Sequence, residues 1–267
     1  MKSYISYFKL KFITGLTYRA SAWAGIATQF FFGFVYIMVY IAFYKSGGKE
    51  LPMSLPQLVT YIWLGQAFFA LINQFYKDNE LFDLIKKGNI SYELVRPQNI
   101  YFMWYFKILA QRLSKVIMRA LPLIIVSLLL PAPYKLQLPK NITCFIMFII
   151  TLITGSLLVT ALITLYPILT LITLNEKGIV NIVIVIADIL SGLVVPIPFF
   201  PEILKKISYL LPFQYISDLP FRIYIGNISI INSIDGLIIQ IVWLLILIAL
   251  GYLILKKALK RVEVQGG

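Results

Sequence analysis

Histidine is absent from this chain, and cysteine occurs once, at Cys144. Without them there is no zinc cluster, no histidine-based triad and no internal disulfide, which removes the commonest hydrolase and metalloenzyme designs. Acidic residues are scarce as well: 11 Asp and Glu face 24 Lys and Arg in 267 residues, a formal charge of +13. Charged residues make up 13% of the chain and hydrophobic ones 60%, whereas a soluble domain carries about 25% charged residues. One globular core cannot hide that much apolar side chain, so the surplus faces membrane lipid. The basic excess then points to loops at a membrane surface and away from nucleic acid.

A hydrocarbon core about 30 Å thick takes roughly 20 apolar residues to cross. Six stretches are candidates, near residues 22–44, 57–76, 116–130, 142–166, 179–196 and 234–255. The expected fold is all-α: a polytopic membrane protein with six transmembrane helices over residues 19–256 and a tail over 257–267. The first apolar run is too long for a signal peptide. Residues 1–18 read as an interfacial helix, with Ile5, Phe8, Phe12 and Leu16 on one face and Lys2, Lys9 and Lys11 elsewhere.

The basic residues set the orientation. With the N-terminus inside, the inner segments hold Lys2, Lys9, Lys11 and Arg19, then eight residues from Lys77 to Arg119, then Lys177, and finally Lys256, Lys257, Lys260 and Arg261, in all 17 of the 24. Both termini are predicted on the cytoplasmic side of the cell membrane.

Two spans depart from a simple rod. The third has few uncharged residues and contains Pro122, so its helix is expected to begin before the bilayer, with Arg112, Lys115 and Arg119 on one face. The fifth contains Asp188 near its middle. An ionised Asp at that depth costs about 2.5–3.5 kcal/mol and should face a partner helix or a wet cavity. It reads either as a pathway or coupling residue, or as a packing device that is neutral or hydrogen-bonded to a neighbouring span. Small residues recur in rows, Ser156, Thr160 and Thr164 in the fourth span and Ser21, Gly25 and Gly33 in the first. Such rows let helices approach closely, with a polar transport lining as the lesser reading.

The longest inner connection, within residues 77–100, is patterned. Asp78 or Asn79 caps a short helix with Leu81, Leu84 and Ile85 on one face, Gly88 ends it, and Pro97 marks a second break. Glu80, Asp83 and Glu93 would be repelled by anionic lipid, which favours a protein partner. The outer segment, residues 197–233, is punctuated by Pro198 and Pro201, with a short helix expected from Glu202 to Leu211. Beyond Pro212, the stretch from Phe213 to Ile225 is too short to span and reads as re-entrant or interfacial helix.

Two stretches carry a family likeness. The run from Ile85 through Gly88 and Glu93 to Arg96 and Pro97 resembles the inner loop of the membrane subunits of type 2 ABC exporters. The run Pro196-Ile197-Pro198-Phe199-Phe200-Pro201, followed by Leu211-Pro212-Phe213-Gln214-Tyr215 and Arg222, is similar to the outer segment before the last span of that family, in the branch whose ATPase is encoded separately. The resemblance implies that two permease subunits, alike or different, meet in the membrane and that each receives a cytoplasmic ABC ATPase. It makes residues 79–87 a coupling helix, with Glu80, Asp83 and Lys86 as polar contacts and Leu81 and Leu84 as apolar anchors, and residues 1–18 the connecting helix. ATP and Mg would bind the partner, and this chain would bind no cofactor.

The residues themselves agree on one point. No G-x-x-x-x-G-K-[ST] loop occurs; Gly47-Gly48-Lys49 lacks the spacing and the following Ser or Thr. Two other classes remain for comparison: a secondary transporter or channel using Asp188, and a lipid-modifying membrane enzyme. The enzyme would need an acid, base or metal cluster that the sequence does not offer, and an i,i+4 pair accounts for Asp218 and Arg222.

Overall fold

A computed structural model of the chain describes residues 2–46, 51–95, 97–173, 175 and 178–260, the Ile179 side chain aside. Arg96, the Gly47-Gly48-Lys49 turn, Lys177 and residues 261–267 of the tail lie outside the described residues. Every regular element among those described is helical: α1 (Lys2–Leu16), α2 (Arg19–Lys45), α3 (Leu55–Ala67), α4 (Phe69–Ile72), α5 (Asn79–Lys86), α6 (Ser91–Leu94), α7 (Ile100–Leu129), α8 (Ile142–Thr173), α9 (Ile179–Leu190), α10 (Glu202–Leu210), α11 (Asp218–Tyr224) and α12 (Ile230–Leu259), with 3-10 turns at Ile197–Phe199 and Pro212–Tyr215.

Three helices, α2, α8 and α12, are long and apolar enough to cross a membrane. They divide the work of burial unequally. Two thirds of the apolar stretch of α8 is covered by protein, whereas α2 and α12 leave most of theirs open. Their outward faces carry Phe31, Val35, Met38 and Val39 on α2 and Ile238, Val242, Leu245 and Leu253 on α12. An apolar surface that large is tolerated against membrane lipid or another protein. The centre of the molecule is therefore α8, with α12 along one side and α7 and α11 against others, while α2, α3 and α7 form a second group and α1 runs along α7.

The other three expected spans are not simple rods. α7 is a continuous 30-residue helix that starts well ahead of its apolar half and carries Lys107 and Arg112 buried on its inner half. The stretch expected to continue to Tyr76 is broken: α3 has 13 residues, about 20 Å of helix, and ends at Phe68, after which α4 adds one turn. From Leu58 to Ala67 every residue of α3 is buried, so it is sheathed by protein and not by lipid. α9 has 12 residues and stops at Leu190, short of the expected end at Pro196. The stop is local. Gly192 has φ +77, and a Cβ there would come within 2.9 Å of the Asp218 side chain, so only glycine fits this left-handed turn.

The row on α8 is a packing row. Ser156, Thr160 and Thr164 are buried, and their hydroxyls donate to carbonyls of their own helix, at 2.7 Å in each case. Within residues 197–233, α10 starts after Pro201 as expected and exposes Ile203, Ile207 and Leu210, while α11 is largely buried.

Candidate functional site

The inner connection folds into a helix with two distinct faces. Asp78 is the N-cap of α5, its Oδ1 accepting from the Leu81 N–H at 3.1 Å, and the helix closes at Lys87, with Gly88 at φ +69 just beyond. One face, Leu81, Phe82 and Ile85, is buried against the body of the protein. The other exposes Asp83, Lys86 and Lys87, with Asp83 and Lys87 forming a loose pair at 3.8 Å. Leu81 is therefore not free to anchor a partner, and Leu84 is half-covered. The apolar groups that are open lie just beyond, on and after α6: Tyr92, Leu94 and Val95, with Val95 85% exposed. Pro97 is exposed and Glu93 half-buried beside them.

Glu80 has a different role from its neighbours. Its carboxylate takes Lys11 of α1 at 3.0 Å and Lys107 of α7 at 2.9 Å, and Lys107 also donates to Asp78 at 3.1 Å. Burial pushes the Glu80 carboxyl up, but hydrogen bonds from Lys107 and Lys11 and their positive charges outweigh it and hold the group below the ordinary glutamate value. Three helices distant in sequence are pinned at one carboxylate. Lys11, expected off the apolar face of α1, is turned toward α5 to reach it. The face of α1 that meets α7 carries Tyr4, whose ring lies edge-on to Phe102 and tilted to Phe106 and whose hydroxyl accepts from the Asn99 N–H at 2.9 Å, while Ile5 points outward.

Arg112 neither snorkels nor pairs with a carboxylate. It is fully buried and donates to the carbonyls of Leu71 and, at 2.9 Å, Asn73. It thereby satisfies the carbonyls left open where α4 ends.

The outer segment has its own node at Asp218, which is fully buried. Its carboxylate lies 2.9 Å from the Tyr61 hydroxyl of α3, accepts from the Ile197 N–H at 3.2 Å and pairs with Arg222 at 3.4 Å. Arg222 is further held by Asn227 and the Tyr209 hydroxyl. Pro198 and Phe199 are half-buried, with the Phe199 ring 6.0 Å from Tyr40. Pro212 is buried, Phe213 is half-buried, and Pro201 is exposed at the start of α10. Asp188 stands apart. It is half-buried on α9, and its carboxylate makes no hydrogen bond or ion pair among the described residues; only its backbone carbonyl is engaged, by Ser191 at 2.8 Å.

A family model described as ABC-2 family transporter protein matches residues 5–266. The chain belongs to the ABC-2 transporter family. No curated protein matches it significantly. ABC-2 proteins are the membrane transport components of ABC systems, generally not enzymes themselves, and typically work with an ATPase. The chain is thus a multi-pass ABC permease.

Within this ABC-2 chain, sequence reasoning missed three groups. Lys107 was counted only as a loop charge, although a cation seven residues past the start of α7 at Ile100 is a signal for an internal carboxylate. Gln240 is fully buried on α12 and donates to the carbonyls of Thr151 at 2.8 Å and Tyr215 at 2.7 Å, tying the last helix to α8 and to the outer segment. The exposed trio Tyr92, Leu94 and Val95 is visible in the sequence as an apolar cluster directly after the Gly88 stop.

Proposed function

We propose that this ABC-2 permease is half of an exporter, crossing the cell membrane six times with both termini inside, and that ATP is hydrolysed by a separate cytoplasmic ATPase docked on α5 and α6. A second permease subunit completes the pathway, and the cargo is an amphipathic drug, lipid or peptide. The carrying observation is the division of α5. Its apolar face is held by the permease body, its polar face with Asp83 and Lys86 is open beside Tyr92 and Val95, and Glu80 ties it to α1 and α7. A load applied to the open face passes directly into two long helices. ATP and Mg belong to the partner in this reading.

The test is copurification and coupling. Val95→Asp and Asp83→Lys, which alter exposed groups only, should weaken recovery of the ATPase with the tagged permease and lower transport per ATP consumed. Leu81→Ala should act through stability instead. Full recovery and coupling in both surface variants would remove α5 and α6 from the interface.

The unpartnered Asp188 carboxylate favours one rival, an ion- or proton-coupled secondary transporter or channel. Vesicles depleted of ATP and given an imposed gradient separate the two. Transport that persists there and is lost in Asp188→Asn establishes the rival.

A further inference from the structure

A cleft lies between α1, the start of α2, α5 and α7, with a volume of about 350 Å³. We propose that it binds the phosphate of an anionic phospholipid headgroup from the inner leaflet. Three cations line it, Lys11, Lys115 and Arg119. Lys115 and Arg119 are four residues apart on α7, so like charges repel across one turn. Neither forms a salt bridge with a carboxylate among the described residues. The one carboxylate at the cleft, Glu80, is already engaged by Lys11 and Lys107. Arg119 donates through one terminal nitrogen to the Ser21 carbonyl at 3.0 Å, but its Nε–H is buried with no acceptor. Among the described residues Lys115 lies over the Tyr76 ring, 4.6 Å away.

A partly buried pair of cations with an unused N–H donor is stabilised by an anion with several acceptor oxygens, and a phosphate diester supplies them. The surroundings indicate where that phosphate comes from. Tyr18 lines the cleft and is 67% exposed, Trp23 follows at 68%, and the outward face of α1 carries Ile5, Leu10 and Ile13. Exposed Tyr and Trp beside apolar side chains mark the headgroup level of a bilayer, where basic residues draw anionic lipid. The site is independent of how the ATPase docks.

The experiment measures equilibrium binding of radiolabelled phosphatidylglycerol and phosphatidylcholine to the full-length chain in neutral detergent. Two cations should favour phosphatidylglycerol by roughly tenfold to thirtyfold, without displacement by millimolar inorganic phosphate. Lys115→Gln with Arg119→Gln should abolish the preference. Thr14→Glu, which leaves both cations in place and puts a carboxylate at the cleft, should do the same, so the test stands even if the double variant fails to fold. Lys9→Gln, which removes an exposed charge on the same helix outside the cleft, should leave the preference intact. Equal binding of the two lipids, or a preference that survives Thr14→Glu, would overturn the site. Displacement by inorganic phosphate would overturn the lipid assignment in favour of a soluble anion.

Discussion

The Lys107 ammonium on α7 lies 3.1 Å from the Asp78 carboxylate, and both side chains are almost wholly buried. Asp78 is also the N-cap of α5, so one oxygen holds the first turn of that helix and the cation of another. Glu80, two residues on, bridges the same cation to Lys11 of α1. Rotation of α5 without α1 and α7 would break the charge-assisted hydrogen bonds of Glu80, which is exposed, and of Asp78, which is closed to water.

Removing Lys107 should be far more costly than removing Glu80. Lys107→Met leaves Asp78 buried without a counter-charge, a change that costs about 3–5 kcal/mol. Glu80 is 62% exposed, and Lys107 keeps Asp78 in its absence, so Glu80→Gln should cost under about 1 kcal/mol. Thermal unfolding in detergent should rank the proteins wild type, then Glu80→Gln, then Lys107→Met, with a wide gap before the last. Equal losses would mean that Asp78 is satisfied some other way.

Acid should loosen the junction through Glu80. Its carboxyl is held below the ordinary value of 4.5, because the bonds and charges from Lys107 and Lys11 outweigh burial. A carboxyl depressed in the folded state contributes stability that is present above its unfolded value and is lost as pH falls through the folded one. The difference in stability between wild type and Glu80→Gln should thus be flat above about pH 4.5 and shrink below it. A difference that grows on acidification would reverse the sign of the shift and contradict the ion pairs.

Local signals carried the boundaries that sequence could show. Asp78 and Gly88 bracket α5 because a cap and a left-handed stop act within one turn, and Pro201 starts α10 for the same reason. What was not legible depends on distant partners. No pattern within α5 distinguishes Phe82, which is buried, from Leu84, which is half-covered, because the choice is made by the helices it meets. The end of α4 has no Pro or Gly to announce it; it is stabilised by Arg112, some 40 residues later, bonding the Leu71 and Asn73 carbonyls. Hydropathy runs on past Leu190, so it overstated the length of the fifth span, although Gly192 was there to be read as a stop. The Asp218 and Arg222 pair was legible as an i,i+4 contact, but its link to Tyr61, 157 residues away, was not.

That link makes Asp218 the residue on which the outer segment depends. It joins α3, the turn after α9 and α11 in one buried carboxylate. Asp218→Ala leaves Arg222 without its charge partner and the Ile197 N–H without an acceptor, and should cost about 3–5 kcal/mol. Asp218→Asn keeps an acceptor for the Tyr61 and Ile197 donors and should fall between it and wild type. Tyr61→Phe removes the hydroxyl shared between Asp218 and the Gly192 carbonyl and should cost about 1 kcal/mol. The ordering of thermal midpoints in detergent checks all three, and an Asp218→Ala protein as stable as wild type would show that the node is not structural.

Gly155 sets how closely the outer segment sits on the central helix. A Cβ there would lie 2.9 Å from the Ile216 carbonyl oxygen, 3.1 Å from that of Tyr215 and 3.1 Å from Gln240 Nε2. Two of the three are backbone, and Gln240 is fixed by its bonds to Thr151 and Tyr215, so nothing nearby can swing aside. Ala is the better helix former by about 1 kcal/mol, but at this position overpacking of about 1–3 kcal/mol should win. Gly155→Ala is therefore expected to lower the thermal midpoint, and hydrogen exchange should rise at Tyr215 and Ile216 before it rises in α5. If Gly155→Ala is instead stabilised as an ordinary helix substitution, α11 and the turn before it can move away from α8 at little cost, and the outer segment is a mobile cover and not a fixed one.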